Sequence, residues 1–219
     1  MPLRASVLVR ALAGPPGGDG LRIHGQARFG RLATLYLLDD RQYRDPHACS
    51  RAGRPGSSRI DPADCAAWED PRRSLLGSAQ EAWLDGALAS AQTGWNVVCQ
   101  QTLFGRRDFR PGAGESLWND GWDGYPAARE TVLGTARSLN KNLVVLSGDT
   151  HNAWANELSD MGGNVVGVEF ATSSVSSPGF EEYLPKENPA TLAGALQQLI
   201  TPLKYCDTSR RGYMLVTAT

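Results

Sequence analysis

Histidine is scarce in this chain, and long apolar runs are missing altogether. No stretch reaches the roughly 18 consecutive apolar residues that a membrane-spanning helix needs. The segment Met1 to Arg10 has no apolar core followed by a small-residue cleavage site, so it does not read as a secretory signal. A surplus of charge is lacking too. The 22 Lys and Arg stand against 23 Asp and Glu, a formal net charge of -1, without the basic excess that nucleic-acid binding asks for. Neither a G-x-S-x-G nucleophile elbow nor a Walker-type phosphate loop occurs. The histidines are His24, His47 and His151. A Ser-His-Asp triad would have to use one of them, and no serine is marked as its partner, so covalent hydrolysis is the weakest reading.

Cysteine is sparse and unpaired in sequence. Cys49, Cys65, Cys99 and Cys206 form no C-x-x-C unit, which excludes a zinc ribbon and a thioredoxin-type motif. Cys49 and Cys65 flank a loop rich in Pro, Gly and Arg, and a disulfide closing it fits an exported protein. Cys99 lies in an apolar run and reads as a buried core thiol.

What is present is the ordinary material of one globular domain. The 219 residues are 41% hydrophobic and 21% charged, enough for a sizeable core. Residues 11–20 read as a loop by composition. Phe29 to Leu38 reads as one strand with a buried end, stopping at Asp39-Asp40-Arg41. Residues 44–76 form a long Arg/Pro/Gly/Asp-rich loop, a length typical of functional or poorly ordered segments. Ser78-Ala-Gln-Glu81 has the spacing of a capping box. Trp83, Leu84, Ala87, Leu88 and Ala91 follow at helical spacing, with Gly94 as a stop signal. Trp95 to Gln101 reads as a strand and 102–124 as a loop. A helix starts near Pro126, buried through Ala128, Val132, Ala136 and Leu139. Strands are expected at Leu143–Leu146, Val165–Phe170 and Tyr213–Val216, and a short helix over 190–200. Alternating strands and helices predict an α/β layered domain with a largely buried sheet.

In open α/β sheets, ligands bind beyond the C-terminal ends of the strands. Three predicted strands end in polar residues: Asp39-Asp40-Arg41, Gln100-Gln101 and Gly148-Asp149-Thr150-His151. If neighbouring and parallel, they would bring Asp39, Arg41, Gln101, Asp149 and His151 to one edge. Carboxylates, an imidazole and a guanidinium suit a metal ion plus a phosphate. In extended geometry Asp149 and His151 leave the chain on the same side. Blander readings stand beside these. Asp149 can cap a helix and His151 can lie on the surface. Arg41 can pair with Asp39 or Asp40, and Gln101 can lace the sheet edge. Trp122-Asp-Gly-Tyr125 is either an aromatic-anchored turn or a rim loop over a site.

Several segments, in order, resemble one family. Asp39-Asp-Arg-Gln-Tyr-Arg44 after an apolar strand, Leu76-Gly-Ser-Ala-Gln-Glu-Ala-Trp-Leu84 and Trp122-Asp-Gly-Tyr-Pro-Ala-Ala-Arg129 are three of them. Leu146-Ser-Gly-Asp-Thr-His-Asn152 and Phe170-Ala-Thr-Ser-Ser-Val-Ser-Ser-Pro-Gly179 complete the set. Together they are similar to the C-terminal part of PhoD-like (alkaline phosphatase D) metallophosphoesterases, over about residues 20 to 217. Asp40 stands where that family usually has Thr. Its earlier Gly-Asp and Trp-Asp-Asp-His-Glu elements do not occur here.

The resemblance implies an α/β, calcineurin-like layered β-sandwich with flanking helices, N-terminally truncated, with residues 1–219 as the C-terminal portion of one phosphatase domain. It implies metal-dependent hydrolysis of phosphate monoesters and diesters, with iron and calcium as cofactors and a small-molecule phosphate ester as the partner. It implies Asp149, His151 and Gln101 as metal ligands or their neighbours, Arg41 and Asn152 as catalytic neighbours, and an exported location. The alternative expectation is a catalytically silent fragment of such an enzyme.

Overall fold

The central strands are short apolar runs that a parallel sheet can bury on both faces. In the computed structural model, which describes residues 22–50 and 56–219, they assemble into one large sheet. The strands are β1 Gly25–Phe29, β2 Ala33–Leu37, β3 Arg59–Ile60, β4 Trp95–Cys99, β5 Leu117–Trp118, β6 Leu143–Ser147, β7 Ala153–Ser159, β8 Val165–Ala171 and β9 Leu203–Asp207. The helices are α1 Ser78–Ala89, α2 Pro126–Ser138, the single turn α3 Phe180–Tyr183, and α4 Pro189–Leu199. Seven strands pair in the order β1-β2-β4-β6-β8-β7-β9. β2, β4, β6 and β8 are mutually parallel, and β1, β7 and β9 are antiparallel additions at the edges. The two-stranded pair β3–β5 is separate. The architecture is therefore α/β, with one large mixed sheet and few helices. Among the described residues no helix is long and apolar enough to cross a membrane.

One face of the sheet is covered. Tyr36, Val98 and Val145 lie in one register row and pack against Leu84 and Leu88 of α1 and Ala128, Val132 and Leu133 of α2. Toward β9, Trp154, Ala171 and Cys206 pack on Leu196 and Ile200. Each fully buried large side chain contributes about 1.5–3 kcal/mol. Alternation along the strands turns Val168 and Phe170 to the other face, where they are 38% and 39% exposed.

The register row continues into a polar residue. Glu169 is wholly buried and pairs with Val145 and Asn156. Its carboxylate accepts from the amides of Phe104 at 2.7 Å and Gly105 at 2.8 Å. It also accepts from the Ser147 hydroxyl at 2.6 Å and the Asn156 amide group at 2.8 Å. Four donors replace the water this charge gives up on burial.

Several expectations need correction. The strand expected over Phe29–Leu38 is interrupted: Gly30 takes a left-handed φ of 56° and closes a hairpin between β1 and β2. The helix cap is not Ser78. Gly77, with φ 75°, is the N-cap, and a Cβ there would lie 2.9 Å from Tyr43 Cβ. The Ser74 hydroxyl takes the capping role, accepting from the Gly77 amide and donating to Glu81. Residues 213–216 form no strand; Tyr213 and Leu215 are more than 80% exposed, with no strand neighbour among the described residues. Strands β7 and β9 were not expected. Cys99 is only partly enclosed, because alternation turns it away from the helix-covered face; burial still pushes its thiol up to about 11. Cys49 and Cys65 are joined as a disulfide. The loop expected over 11–20 lies outside the described residues.

Replacing Glu169 by Gln keeps its shape but sets an amide nitrogen against donors that need an acceptor. The variant is expected to lose about 2 kcal/mol or more of unfolding free energy. Urea denaturation followed by circular dichroism checks this; an unchanged midpoint would remove Glu169 from its central place.

Candidate active site

The strands that end in polar residues are neighbours and run the same way, so their C-terminal ends share one edge. Beyond β2 the chain turns through Asp39, Asp40 and Arg41. Asp39 is used up locally: its carboxylate accepts from the amides of Arg41 and Gln42 and from the Gln42 side chain. Asp40 is fully buried. One of its oxygens accepts from the Thr102 amide at 2.9 Å and hydroxyl at 2.6 Å, while Oδ1 is enclosed without a hydrogen-bond partner. Burial raises the Asp40 pKa, opposed by the Thr102 hydrogen bonds and Arg41 and reinforced by Asp149.

Arg41 is the hub of the edge. Its guanidinium donates to Asp120 at 2.8 Å and to Asp149 at 3.1 Å, and its Nε lies 3.8 Å from Asp40. Asp120 is further gripped by Arg44 at 2.9 Å and His47 at 3.0 Å. Burial pushes Asp120 upward, but the Arg41 hydrogen bond and the charges of Arg41 and Arg44 outweigh it and leave the carboxyl below its ordinary value. Burial and the nearby Arg44 lower His47 in spite of Asp120, so the imidazole serves as a neutral donor.

Gly148 to Asn152 is not extended. Asp149 and His151 both adopt left-handed backbone, with φ 67° and 59°, a conformation costly for residues other than glycine and concentrated at functional sites. Asp149 meets Arg41. The His151 Nδ1 lies 2.8 Å from the Pro178 carbonyl oxygen. A carbonyl only accepts, so Nδ1 holds a proton, leaving Nε2 as the ring nitrogen that a metal would meet, the arrangement that orients metal-binding imidazoles. Asn152 is buried, donating to the Thr150 carbonyl at 2.6 Å and accepting from the Phe180 amide at 3.1 Å. It ties this loop to the 178–180 segment.

Gln101 matches the blander reading. Its oxygen accepts from the Asp40 amide at 2.9 Å and its nitrogen donates to the Leu38 carbonyl at 2.8 Å, so the side chain laces β2 to β4. Trp122 to Tyr125 forms an aromatic-anchored turn. Trp122 is fully buried, bonded to Gln100 at 3.1 Å. Gly124 permits the turn, since a Cβ there would fall 2.1 Å from the Asn119 carbonyl oxygen. That turn delivers Asp120, which sequence reasoning missed together with Arg44 and His47. The available signal was Asp120-Gly-Trp-Asp-Gly124, acidic residues spaced around a tryptophan.

Comparison with known proteins agrees across sequence and structure. A family model described as PhoD-like phosphatase matches residues 1–219. Alkaline phosphatase D of Bacillus subtilis (strain 168) is 37% identical over 184 residues, covering 82% of this chain and 29% of that protein. A solved structure described as "Structure of PhoD" superposes with a TM-score of 0.73 at 31% identity, covering 96% of this chain and 38% of that one. The chain thus spans well under half the length of these relatives.

Asp123 lies near the site, its oxygen accepting from the Arg107 amide at 3.0 Å. Burial pushes its carboxyl up to about 6, against the charges of Arg107 and Arg129. The ordinary value is about 4, so the fold favours the protonated form. Below about pH 4 both folded and unfolded states are protonated and no penalty arises. The penalty grows as pH rises from about 4 to 6 and is complete above that. Asp123→Asn is expected to remove this decline, so that its melting temperature gains on the unaltered chain between pH 4 and 6.5. Parallel melting profiles would refute it.

Proposed function

Because the chain belongs to the PhoD-like phosphatase family, we propose that it is part of a metal-dependent phosphoric ester hydrolase of the alkaline phosphatase D type, acting on small-molecule phosphate monoesters and diesters. Residues 1–219 act as one portion of that phosphatase domain. The observation that carries this reading is the shared strand edge, where the Arg41 guanidinium bridges Asp120 and Asp149.

The residues fit a cation, with iron and calcium as the ions expected. Two carboxylates, Asp120 and Asp149, are gathered on one positive group. Asp40 Oδ1 is buried without a hydrogen-bond partner, its nearest cation being Arg41 Nε at 3.8 Å, and Nε2 of His151 is not committed to the Pro178 carbonyl. Asp149 and His151 are the proposed ligands, with Asp120 and Asp40 as carboxylates close by. A bound metal would polarise the phosphoryl oxygens and acidify water. Arg41 has the planar fork that grips two phosphoryl oxygens, and it can do so by exchanging carboxylate oxygens for phosphate oxygens. Asn152 positions the His151 loop, and Gln101 fixes the Leu38–Asp40 turn that aims Arg41. The Cys49–Cys65 disulfide supports an oxidising, exported location.

A second reading is favoured by one observation. Among the described residues no three His, Cys, Asp or Glu side chains are grouped as a metal site. In that reading the 219-residue chain keeps the fold without turnover.

The test is hydrolysis of a chromogenic phosphate monoester and diester by the purified chain, with iron and calcium supplied and a chelator control. Chelator-sensitive turnover is expected, falling about 100-fold or more in Asp149→Ala and His151→Ala. Turnover indifferent to both substitutions would end the site assignment. A folded chain without turnover would select the silent reading.

A further inference from the structure

Beside the strand edge lies a cavity of about 300 Å³, lined by Arg59, Arg107, Phe109, Trp118, Phe180 and Leu192 among others. That is the lower end of the size range for small-molecule sites. Its wall is assembled from β3, β5, α3, α4 and the 102–116 loop, which the sequence does not mark as one surface. Arg107 and Trp118 also line a narrow cleft whose other walls include Asp149 and Asp123. The cavity and the phosphatase edge therefore share a neck.

Arg107 at that neck is unlike the other arginines of the site. Among the described residues its guanidinium makes no hydrogen bond or ion pair, and its Nε is buried without a partner. It is held by ring faces instead, 5.3 Å from the Phe109 centroid and 6.0 Å from that of Trp154. Arg59 stacks on Phe109 at 4.6 Å. Arg107 is only partly enclosed, but its Nε is cut off from water without a partner, and an anion at the neck would supply the acceptor that this donor lacks. Apart from Arg59, the walls are apolar and aromatic and bury a flat apolar group well.

We infer that this cavity is a subsite for the aryl or similarly flat apolar group of a phosphate ester, with Arg107 at the neck binding a phosphoryl oxygen. This rests on the hydrolase reading and narrows it from phosphate esters in general to those of aromatic or comparably flat alcohols. The wall and the site loop are mechanically joined, since the Phe180 amide donates to Asn152 next to His151.

The test is calorimetric titration of the purified chain, in chelator, with phenylphosphonate and methylphosphonate, neither of which can be hydrolysed as an ester. Phenylphosphonate is expected to bind at least about 10-fold tighter, from burial of the ring. Leu192→Trp, which fills the cavity, should abolish that preference while methylphosphonate still binds. Arg107→Gln should weaken both ligands. Equal affinity of the two phosphonates for the unaltered chain, or no binding of either, would overturn the subsite whatever the variants do. A preference that survives Leu192→Trp would overturn it as well. An aryl preference in a chain that hydrolyses no ester when metals are supplied would sustain the subsite and remove the hydrolase reading. Ester turnover without an aryl preference would do the reverse.

Discussion

The buried carboxylate of Glu169 is the constraint around which this fold is arranged. A charge in the middle of a sheet is tolerable only if its lone pairs are filled. Here the donors come from three places distant in sequence: the Phe104–Gly105 backbone, Ser147 at the end of β6, and Asn156 in β7. Each donor has a functional consequence. Ser147 is the last residue before Gly148-Asp149, so fixing it fixes where the Gly148–Asn152 loop departs. The Phe104–Gly105 backbone starts the loop that carries Arg107 and Phe109. One unbridged charge thus sets the separation between the strand edge and the neighbouring cavity.

How much of this was legible in the sequence depends on whether the signal was local. The parallel strands β4, β6 and β8 are local apolar runs and were readable, as were α2, from Pro126, and α4. The juxtaposition of Arg41 and Asp149 also followed, because strand ends in a parallel sheet share an edge. β7 was not readable: its inward residues are Trp154, Asn156 and Leu158, and an asparagine breaks the apolar alternation. That asparagine is inward only because Glu169 needs it, a pairing visible in three dimensions alone. The Tyr213–Val216 run failed for the opposite reason, being apolar without a strand to pair with among the described residues.

The site residues divide in the same way. Arg41, Asp149 and His151 stand next to strand ends and were singled out by that position. Asp120 and His47 reach the site from long loops; the acidic spacing around Trp122 marks Asp120 as unusual but does not say which strands it faces. The expected extended path from Asp149 to His151 was also too simple. Two left-handed residues in three bend the loop back, letting Asp149 turn to Arg41 while His151 anchors on Pro178. Asn152 was expected to act at the site directly, but its hydrogen bonds make it a brace between loops.

Two arginines at this edge show how environment, rather than residue type, decides what a guanidinium does. Arg41 is ringed by Asp40, Asp120 and Asp149; burial lowers its pKa, but the Asp120 hydrogen bond and these charges raise it further. Every anion that reaches it must compete with carboxylates, so a phosphate would have to exchange with them, and the guanidinium's orientation is fixed beforehand. Arg107 is ringed by aromatic faces, and burial lowers its pKa, with Asp123 and Asp149 opposing from a distance. Its Nε has no partner, and no carboxylate holds its guanidinium among the described residues, so an anion arriving there displaces water and not another charged group. The first arrangement favours selectivity for charge and geometry, the second favours retention of whatever the apolar wall accepts. A site built from both would discriminate among phosphate esters by the group attached to the phosphate, since the phosphate itself meets the same Arg41 fork in every case.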